Sequence, residues 1–462
     1  MQMMKSYKRY ITLCLLAVSA VGLPACNKKL EVAPGSYIVP DQVKTESDVR
    51  AELLGAYSNL QHYDAYGERA ILIPELLSDE GELSFEGTFL TYRQYQDKAQ
   101  LKTSAIAEGI WQRGFKTINN VNIVLSNLNL VSKDNKTAIE AEAKFVRGLM
   151  YFNLCNLFGK PYSAGAVTTN LAIPLILDPI IAQEDLQKGY QPRATVDAVH
   201  KQIVADLVFA TTNLGETNEK GRANKYAAYA ILSRVYMAEG LYDKAAIAAN
   251  EVIKSDAFAL TSTFDKAFNN GLNSSEDIFA IQQTNQSNAG TVNNGLQTFY
   301  AGYDFGSRGD IIIDLDKIPA YEPDDVRGSF FYENYGLAVD DGFYTGKWKE
   351  QYKVIPVVRL AEMYLTRAES NLRAGTTVGA EPLDDINLVR ERSHATALAA
   401  VTADIAVAER IRELAFEGDK LWTYKRLKKS VGAFTYTDNK LVLPIPQRET
   451  DVNTKLTQNP GY

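Results

Sequence analysis

Residues 224–254, NKYAAYAILSRVYMAEGLYDKAAIAANEVIK, read as two helices folded back on each other. Tyr229, Leu232 and Tyr236 recur at helical spacing and share one face of a first helix. Gly240 then supplies the backbone freedom that a helix end needs. Tyr242 and Ala245 return to the same contact from the second helix. Ala245 is small because two closely packed helices leave no room there for a longer side chain. One short hairpin cannot bury its apolar face alone, so neighbours of the same kind are expected.

Such neighbours are present. Ala361, Tyr364 and Ala368 repeat the first-helix spacing, with Ile386 and Val389 in a partner helix. Ala143, Leu149, Tyr151 and Leu154 supply an earlier copy. The order of bulky residues, glycine, tyrosine and alanine follows the tetratricopeptide pattern, whose hairpins stack to bury a continuous core. Ala249 stands where that pattern usually has phenylalanine. Helical periodicity also marks 47–61, 110–130, 137–158, 196–214 (with Thr195 as N-cap), 357–374, 384–393 and 404–427. Residues 81–104 and 261–350 lack it. The longer of these is rich in Asn, Gly, Ser, Asp and Tyr, with short apolar runs such as Ile311-Ile312-Ile313, and reads as loops with a few short strands. The predicted fold is mainly α: tetratricopeptide-like helical hairpins with a loop-rich face.

At the N-terminus, Lys5, Lys8 and Arg9 precede an apolar run, Ile11 to Leu23. The run is shorter than the ~20 residues that cross a bilayer as a helix. Leu23-Pro24-Ala25-Cys26 follows and resembles a bacterial lipobox. Residues 1–25 therefore read as a lipoprotein signal peptide, Cys26 as the acylated residue, and 26–46, with Pro34, Gly35 and Pro40, as a tether. Acyl chains hold a protein at a membrane without a spanning helix, each buried CH₂ contributing ~0.8 kcal/mol. The body divides by sequence character into 47–260 and 261–462. The whole chain holds 49 basic and 56 acidic side chains, and removing residues 1–25 takes away basic ones only. That balance argues against nucleic acid as partner, because phosphate binding needs clustered positive charge. Apart from Cys14 and Cys26 the only cysteine is Cys155, so the mature chain has no pair for an intramolecular disulfide.

A series of short motifs follows in order along the chain. Leu30-Glu31-Val32-Ala33-Pro34, Leu54-Gly55-Ala56-Tyr57 and Ser78-Asp79-Glu80 come first, then Trp111 and Asn119-Asn120-Val121. Ala141-Glu142-Ala143-Lys144-Phe145-Val146-Arg147 leads to Leu157-Phe158-Gly159. Arg359-Leu360-Ala361-Glu362-Met363-Tyr364, Asn387-Leu388-Val389-Arg390-Glu391-Arg392 and Glu413-Leu414-Ala415-Phe416-Glu417-Gly418 follow. The chain closes on Leu443-Pro444-Ile445-Pro446-Gln447 and Asn459-Pro460-Gly461-Tyr462. In order and spacing, Cys26 to Tyr462 resembles the SusD/RagB-type outer-membrane lipoproteins of Bacteroidetes-like bacteria.

That resemblance implies four tetratricopeptide-like units capped by a loop-rich face, and a binding protein rather than an enzyme. It implies a lipid-anchored protein of the outer membrane, facing the exterior beside a SusC-like TonB-dependent transporter. The implied cargo is oligosaccharide, or peptide as in some relatives. Two positions depart from the family pattern. Lys420-Leu421-Trp422-Thr423 stands where an arginine, an aromatic pair and an aspartate are usual, and Asn27-Lys28-Lys29 lacks the acidic residues often found after the acylated cysteine.

The residues themselves carry no catalytic motif. There is no G-x-S-x-G elbow, phosphate-binding loop or H-E-x-x-H helix. His62, His200 and His394 lie far apart without cysteine or carboxylate at ligand spacing, so neither metal nor cofactor is expected. Glu409, Glu413 and Glu417 recur beside Arg410, Arg412 and Lys420. Carboxylates that cleave glycosides face each other ~5–9.5 Å apart across a cleft, whereas a row on one basic-flanked helix reads as structural ion pairing. Asp79, Glu80 and Glu82 form an acidic cluster beside the aromatic loop, either a general acid or acceptors for sugar hydroxyls.

Aromatics are the positive signal: 26 Tyr, 18 Phe and 3 Trp, more than the helical spacing alone uses. Tyr57, Tyr151, Tyr229, Tyr236 and Tyr364 read as core. Tyr332, Tyr335, Tyr344 and Trp348, with the aromatics of 81–100 and 290–310, lie in irregular segments, where a ring either meets ligand or packs a loop onto the body. A sugar offers apolar C–H faces and a hydroxyl rim, which suit an exposed ring flanked by polar side chains. The resembled family builds its glycan sites from the early and mid-chain loops. Asp79, Tyr92, Arg93, Tyr95, Phe299, Tyr300 and Tyr303 are therefore the expected ligand-binding residues. Two other functions compete: a tetratricopeptide scaffold, which would bury the loop aromatics, and a hydrolase. For the anchor, Cys26→Ser is expected to abolish incorporation of a fatty-acid analogue, and equal labelling of the two proteins would reject it.

Overall fold

Thr45 opens the first helix, Glu46–Gln61, with a reciprocal cap: its hydroxyl accepts from the Asp48 N–H, and the Asp48 carboxylate accepts from the Thr45 N–H at 2.9 Å. The computed structural model describes residues 43–462 except 220, 292 and 339; Cys26, the signal peptide and almost all of the tether lie outside the described residues. Residues 44–462 form one compact unit.

The longer helices pack in pairs. Glu46–Gln61 lies against Ala105–Ser126, and Lys133–Phe158 against Val196–Asn213. Lys225–Glu239 pairs with Tyr242–Ile253, and Leu360–Ala374 with Pro382–Arg392. Thr195 caps its helix as expected, accepting from the Ala198 N–H. Gly240 ends the Lys225–Glu239 helix at φ +74°, in the left-handed region where a Cβ is costly. Close approach also fixes Gly114, where a Cβ would stand 2.7 Å from Leu154 Cδ1 on the neighbouring helix.

Apolar packing fills these interfaces, and buried ion pairs set their register. Arg147 makes two hydrogen bonds to Asp206, at 2.8 and 2.9 Å, and a third to Asn122 at 3.1 Å, tying three helices together. Arg222 does the same for Glu142, and Arg234 for Glu362. Such planar two-bond pairings define orientation as well as distance.

Among the described residues eight short strands lie between the helices: β1 Leu83–Phe85, β2 Leu171–Pro174, β3 Arg193–Thr195, β4 Asp277–Ile281, β5 Ile311–Ile313, β6 Phe331–Asn334, β7 Gly342–Thr345 and β8 Ile355–Arg359. β1-β5-β7-β6 form an antiparallel sheet in that order. β4 pairs with β8, and β2 with β3.

Several expectations need correction. Residues 355–359 open as strand rather than helix, because β8 is buried on both faces against β4. The helix expected over 404–427 divides into Ala403–Glu413 and Lys420–Arg426, with Phe416 and Gly418 at positive φ between them. Gly418 N–H there donates to the buried Glu75 carboxylate at 2.6 Å. The segment 81–104 holds helix Leu90–Gln96 besides β1. Arg69–Ser78 is a helix that periodicity did not mark, since every residue from Ala70 to Ser78 is buried and none defines a polar face.

One ionic cluster joins the loop-rich region to the helical body. Glu413, fully buried, accepts from Arg327 at 3.2 Å, Arg359 at 3.1 Å and Arg392. Arg359 also reaches Glu276 and Glu417, while Lys347 bonds Glu417 at 2.6 Å and the Glu413 carbonyl at 2.8 Å. Burial pushes the Glu413 carboxyl up, but Arg392, Arg359, Arg327 and Lys347 outweigh it and hold it down at about 2. Its contribution to stability is therefore complete above the unfolded value of 4.5 and declines as pH falls toward 2. Glu413→Ala removes the carboxylate shared by three buried guanidinium groups, each of which keeps one other acidic partner or more, and is expected to destabilise by about 3 kcal/mol at neutral pH. Denaturant melts at neutral pH and at pH 3 check this, the mutant's deficit being smaller at the lower pH.

Candidate functional site

The expected site residues separate into a buried plug and an exposed face. Tyr92, Phe299 and Phe85 pack together, with Tyr92–Phe299 ring centres 4.8 Å apart and Phe85–Tyr92 5.4 Å apart. The Tyr92 hydroxyl donates to Glu68, whose carboxyl burial pushes up to about 7. Tyr95 is sealed in, its hydroxyl 2.9 Å from Ser104 Oγ. Tyr300 is equally buried against Phe416, and its hydroxyl has no partner among the described residues. Tyr92, Tyr95, Phe299 and Tyr300 were expected to present rings to a ligand, and the structure withdraws them from that role. They belong to two short helices, Leu90–Gln96 and Leu296–Tyr300, and their rings pack those helices onto the body.

Asp79 is also committed to structure. Its carboxylate accepts from the Gly81 and Leu83 N–H groups, both at 2.9 Å, and from Gln96 at 3.0 Å. That closes the turn into β1. Arg93 is half-exposed and reaches Glu86 at 3.5 Å. These two positions flank β1 at one edge of the four-stranded sheet. Tyr303 joins the opposite edge, its N–H donating to the Tyr335 carbonyl at 2.7 Å just beyond β6. Three strand spacings separate the edges, roughly 14 Å, so the early and mid-chain loops do not converge at Tyr303.

What the structure assembles around Tyr303 is different. Tyr303 and Tyr335, 46% and 42% exposed, lie with ring centres 5.2 Å apart and planes 31° apart. A single 3₁₀ turn, Tyr303–Phe305, carries the first ring and ends at Gly306 with φ +70°. β6 delivers the second. Asn334 Nδ2 donates to Asp304 at 3.1 Å, and the Tyr332 hydroxyl accepts from the Gly302 N–H at 3.1 Å. A hydrogen bond from the Tyr335 hydroxyl to Asp304, with slight burial, keeps the Tyr335 phenol protonated above its ordinary range. Phe305 and Tyr332 continue the surface edge to face at 5.3 Å, with Lys349 Nζ 4.5 and 4.7 Å from their ring centres.

Two near-parallel exposed rings with a carboxylate, a carboxamide and an ammonium at their rim form a platform for a flat ligand with one apolar face and a polar edge. Of the expected residues only Tyr303 belongs to it. Tyr335 and Tyr332 stood among the irregular-segment aromatics, whereas Phe305, Asp304, Asn334 and Lys349 were not singled out. A usable signal existed in the polar neighbours within Tyr303-Asp304-Phe305 and Asn334-Tyr335. Among the described residues no group of three or more His, Cys, Asp or Glu side chains is placed to hold a metal ion.

Comparison with known proteins places this architecture. A SusD-like family described as "Starch-binding associating with outer membrane" matches residues 35–237, and the family described as "SusD family", the SusD/RagB group, matches residues 332–440. The chain belongs to the SusD/RagB family. SusD-like protein P2 of Formosa agariphila is 25% identical to it over 99% of this chain and 100% of its own length. Starch-binding protein SusD of Bacteroides thetaiotaomicron is 23% identical, over 99% of each chain. A crystal structure of a SusD superfamily protein from Bacteroides thetaiotaomicron superposes with a TM-score of 0.78 at 25% identity, covering 90% of this chain and 100% of the other.

The division between plug and platform makes a direct prediction for this SusD/RagB protein. Tyr300→Ala is expected to destabilise by about 3–5 kcal/mol, as deletions of buried aromatics do. Tyr303→Ala should stay within about 0.5 kcal/mol of wild type, as exposed substitutions do. Thermal melts of the two variants measure both, and equal shifts would merge the two groups of rings.

Proposed function

We propose that the protein binds extracellular oligosaccharide on the Tyr303–Tyr335 face. In this proposal it is a lipid-anchored outer-membrane protein that passes the glycan to a SusC-like TonB-dependent transporter. The exposed ring pair with Asp304 and Asn334 at its rim carries the binding part of the reading. Stacked rings take the C–H face of a pyranose, while the rim side chains exchange water for sugar hydroxyls. The family description, which joins starch binding to outer-membrane association, supports the setting, and the lipobox at Cys26 supports the anchor. Affinity is expected to be modest, because an open face buries limited area and hydroxyls lose water on binding. Modest affinity suits a protein that must release its cargo.

A peptide-binding relative would use the same face, and the choice of ligand distinguishes the two. The scaffold reading gains from the burial of Tyr92, Tyr95, Phe299 and Tyr300. It also has a crevice between the helix pairs and the Lys420–Arg426 helix, lined by Tyr66, Tyr162 and Trp422. Against it, the arginines of that crevice are occupied: Arg234 with Glu362, Arg410 with Asp419, Arg426 with Glu369. The exposed Tyr303 and Tyr335 also remain unexplained by it.

Binding without cleavage is the accompanying expectation. Glu413 and Glu417 are held by arginines and Lys347, Glu409 by Arg327 and Arg390, and Asp79 by backbone N–H groups. Glu80 and Glu82 both pair with Lys420. A glycan and peptide array probed with the mature protein is expected to retain oligosaccharides. Tyr303→Ala and Tyr335→Ala should each weaken binding by up to about tenfold, the worth of one stacked ring. The bound oligosaccharide should be recovered intact by chromatography. Fragments that disappear when Asp79 or Glu80 is replaced would favour a hydrolase.

A further inference from the structure

The first half of the Ala105–Ser126 helix, residues 174–190 and the end of the chain from Glu449 to Leu456 enclose an apolar groove with about 290 Å³ of free space. Its walls include Trp111, Phe115, Ile176, Ile180, Leu186 and Val452, and Glu449 is its one charged side chain. Leu186 and Val452 are 41% and 57% exposed. Contiguous apolar surface left open in this way marks a place where another apolar group comes to rest. The rim is fixed in advance. Asn119 exchanges two hydrogen bonds with Ile180, donating from Nδ2 at 2.9 Å and accepting at Oδ1 at 2.7 Å, and Asn122 donates to the Ile176 carbonyl at 3.0 Å. A lining of this kind suits an apolar stretch of chain better than a charged or hydroxyl-rich ligand.

The chain itself supplies such a stretch within reach. Tyr37-Ile38-Val39-Pro40 precedes the first helix and lies outside the described residues. Proline disfavours helix at the residue before it, so Val39-Pro40 reads as extended. Glu46, at the start of the first helix, accepts from the Ser132 N–H at 2.8 Å and from Asn135 at 2.7 Å. The body therefore receives the chain near the far end of the Ala105–Ser126 helix. The two helices run antiparallel, with Asn120 bonded to Glu52 and Arg113 to Asn59. At ~1.5 Å per residue, Phe115 and Trp111 lie ~17–22 Å along the axis from Ser126. Ile38 and Tyr37 stand seven and eight residues before Thr45. At ~3.3 Å per extended residue they reach ~23–26 Å, enough to cover that length and pass round the helix. The match to the SusD-like family begins at residue 35, so this stretch falls within the part of the chain shared with its relatives.

We propose that Tyr37-Ile38-Val39-Pro40 docks in the groove between Phe115, Leu186 and Val452, so that the last part of the tether is a built-in strap on the body. The proposal is independent of the glycan reading. Joined to the lipobox reading of Cys26, it also sets the leash. Asn27 to Ser36, ten residues, then remain between the acylated cysteine and the body. They span at most ~33 Å, against ~56 Å for the seventeen residues Asn27 to Val43.

The test is disulfide trapping in the mature chain carrying Cys26→Ser, which leaves buried Cys155 as its one native thiol. Ile38→Cys is combined with Val452→Cys in the groove or with Leu54→Cys, a position 50% exposed on the first helix and closer to the chain entry. Copper phenanthroline and oxygen oxidise each pair, and gel mobility with and without reductant follows closure within one chain. The Val452 pair is expected to close at least about tenfold faster than the Leu54 pair. Tyr37→Ser with Val39→Ser should bring the two rates together. Leu186→Cys on the facing wall replaces Val452→Cys if the latter lowers the melting temperature, and the same excess over Leu54 is expected of it. A Leu54 pair that closes as fast as the groove pair, or faster, would overturn the strap. Disulfide-linked dimers forming in place of intramolecular closure would also overturn it, and would give the groove to a second copy of the chain.

Discussion

A carboxylate cannot be buried as an anion without cations to replace its water, and Glu413 has three guanidinium groups in contact with it. Each arrives from a different part of the chain. Arg327 precedes β6, Arg359 ends β8, and Arg392 ends the Pro382–Arg392 helix. Lys347, just after β7, adds a fourth cation at the Glu413 carbonyl. Each member has more than one partner of opposite charge, so the network ties the four segments together at several points. The loop-rich region has little regular structure to define it, and this cluster supplies the definition. The start of β6 and the end of β7 lie beside it.

The same logic recurs at smaller scale between the helices. Arg147 with Asp206, Arg234 with Glu362 and Arg367 with Asp385 each clasp one helix to another, and Arg222 ties the loop before Lys225–Glu239 to Glu142. Alanine-rich faces such as that of Ala245, Ala246 and Ala249 allow close packing but little specificity of register. Two-bond arginine–carboxylate pairs add orientation that apolar contact lacks. The result is a stiff helical body under a face whose few exposed rings are fixed from below.

Rigidity of that kind bears on the binding proposed for this face. Aromatic rings already held at a fixed spacing lose little freedom when a ligand arrives, so a larger share of the contact energy appears as affinity. The plug of Phe85, Tyr92 and Phe299 serves the platform indirectly by packing the early loop beneath the sheet. Phe85, Tyr92, Tyr95, Phe299, Tyr300, Tyr344 and Trp348 are thus scaffold, while Phe89, Tyr303, Phe305, Tyr332 and Tyr335 keep exposed surface.

The helical hairpins were legible from residue spacing because a helix face repeats locally: Tyr229 to Ala245 contains its own evidence. Thr195 and Gly240 were legible for the same reason, each acting within a few residues of itself. Arg69–Ser78 escaped because burial on every side leaves no period to detect, and β8 because a doubly buried strand and a helix start look alike in an apolar run. Glu409, Glu413 and Glu417 are ion-paired as the sequence suggested, but apart from Arg412 at Glu409 their partners come from distant segments rather than from the same stretch of chain. Tyr300 and Tyr303 mark the limit most plainly. They stand three residues apart in one irregular segment with similar composition around them, and one is enclosed by Phe416 while the other faces solvent beside Tyr335. The sequence by itself determined the helical repeats, their caps and the family. Only the tertiary structure decided which aromatics are surface, because burial depends on what the rest of the chain brings to a residue and not on the residues beside it.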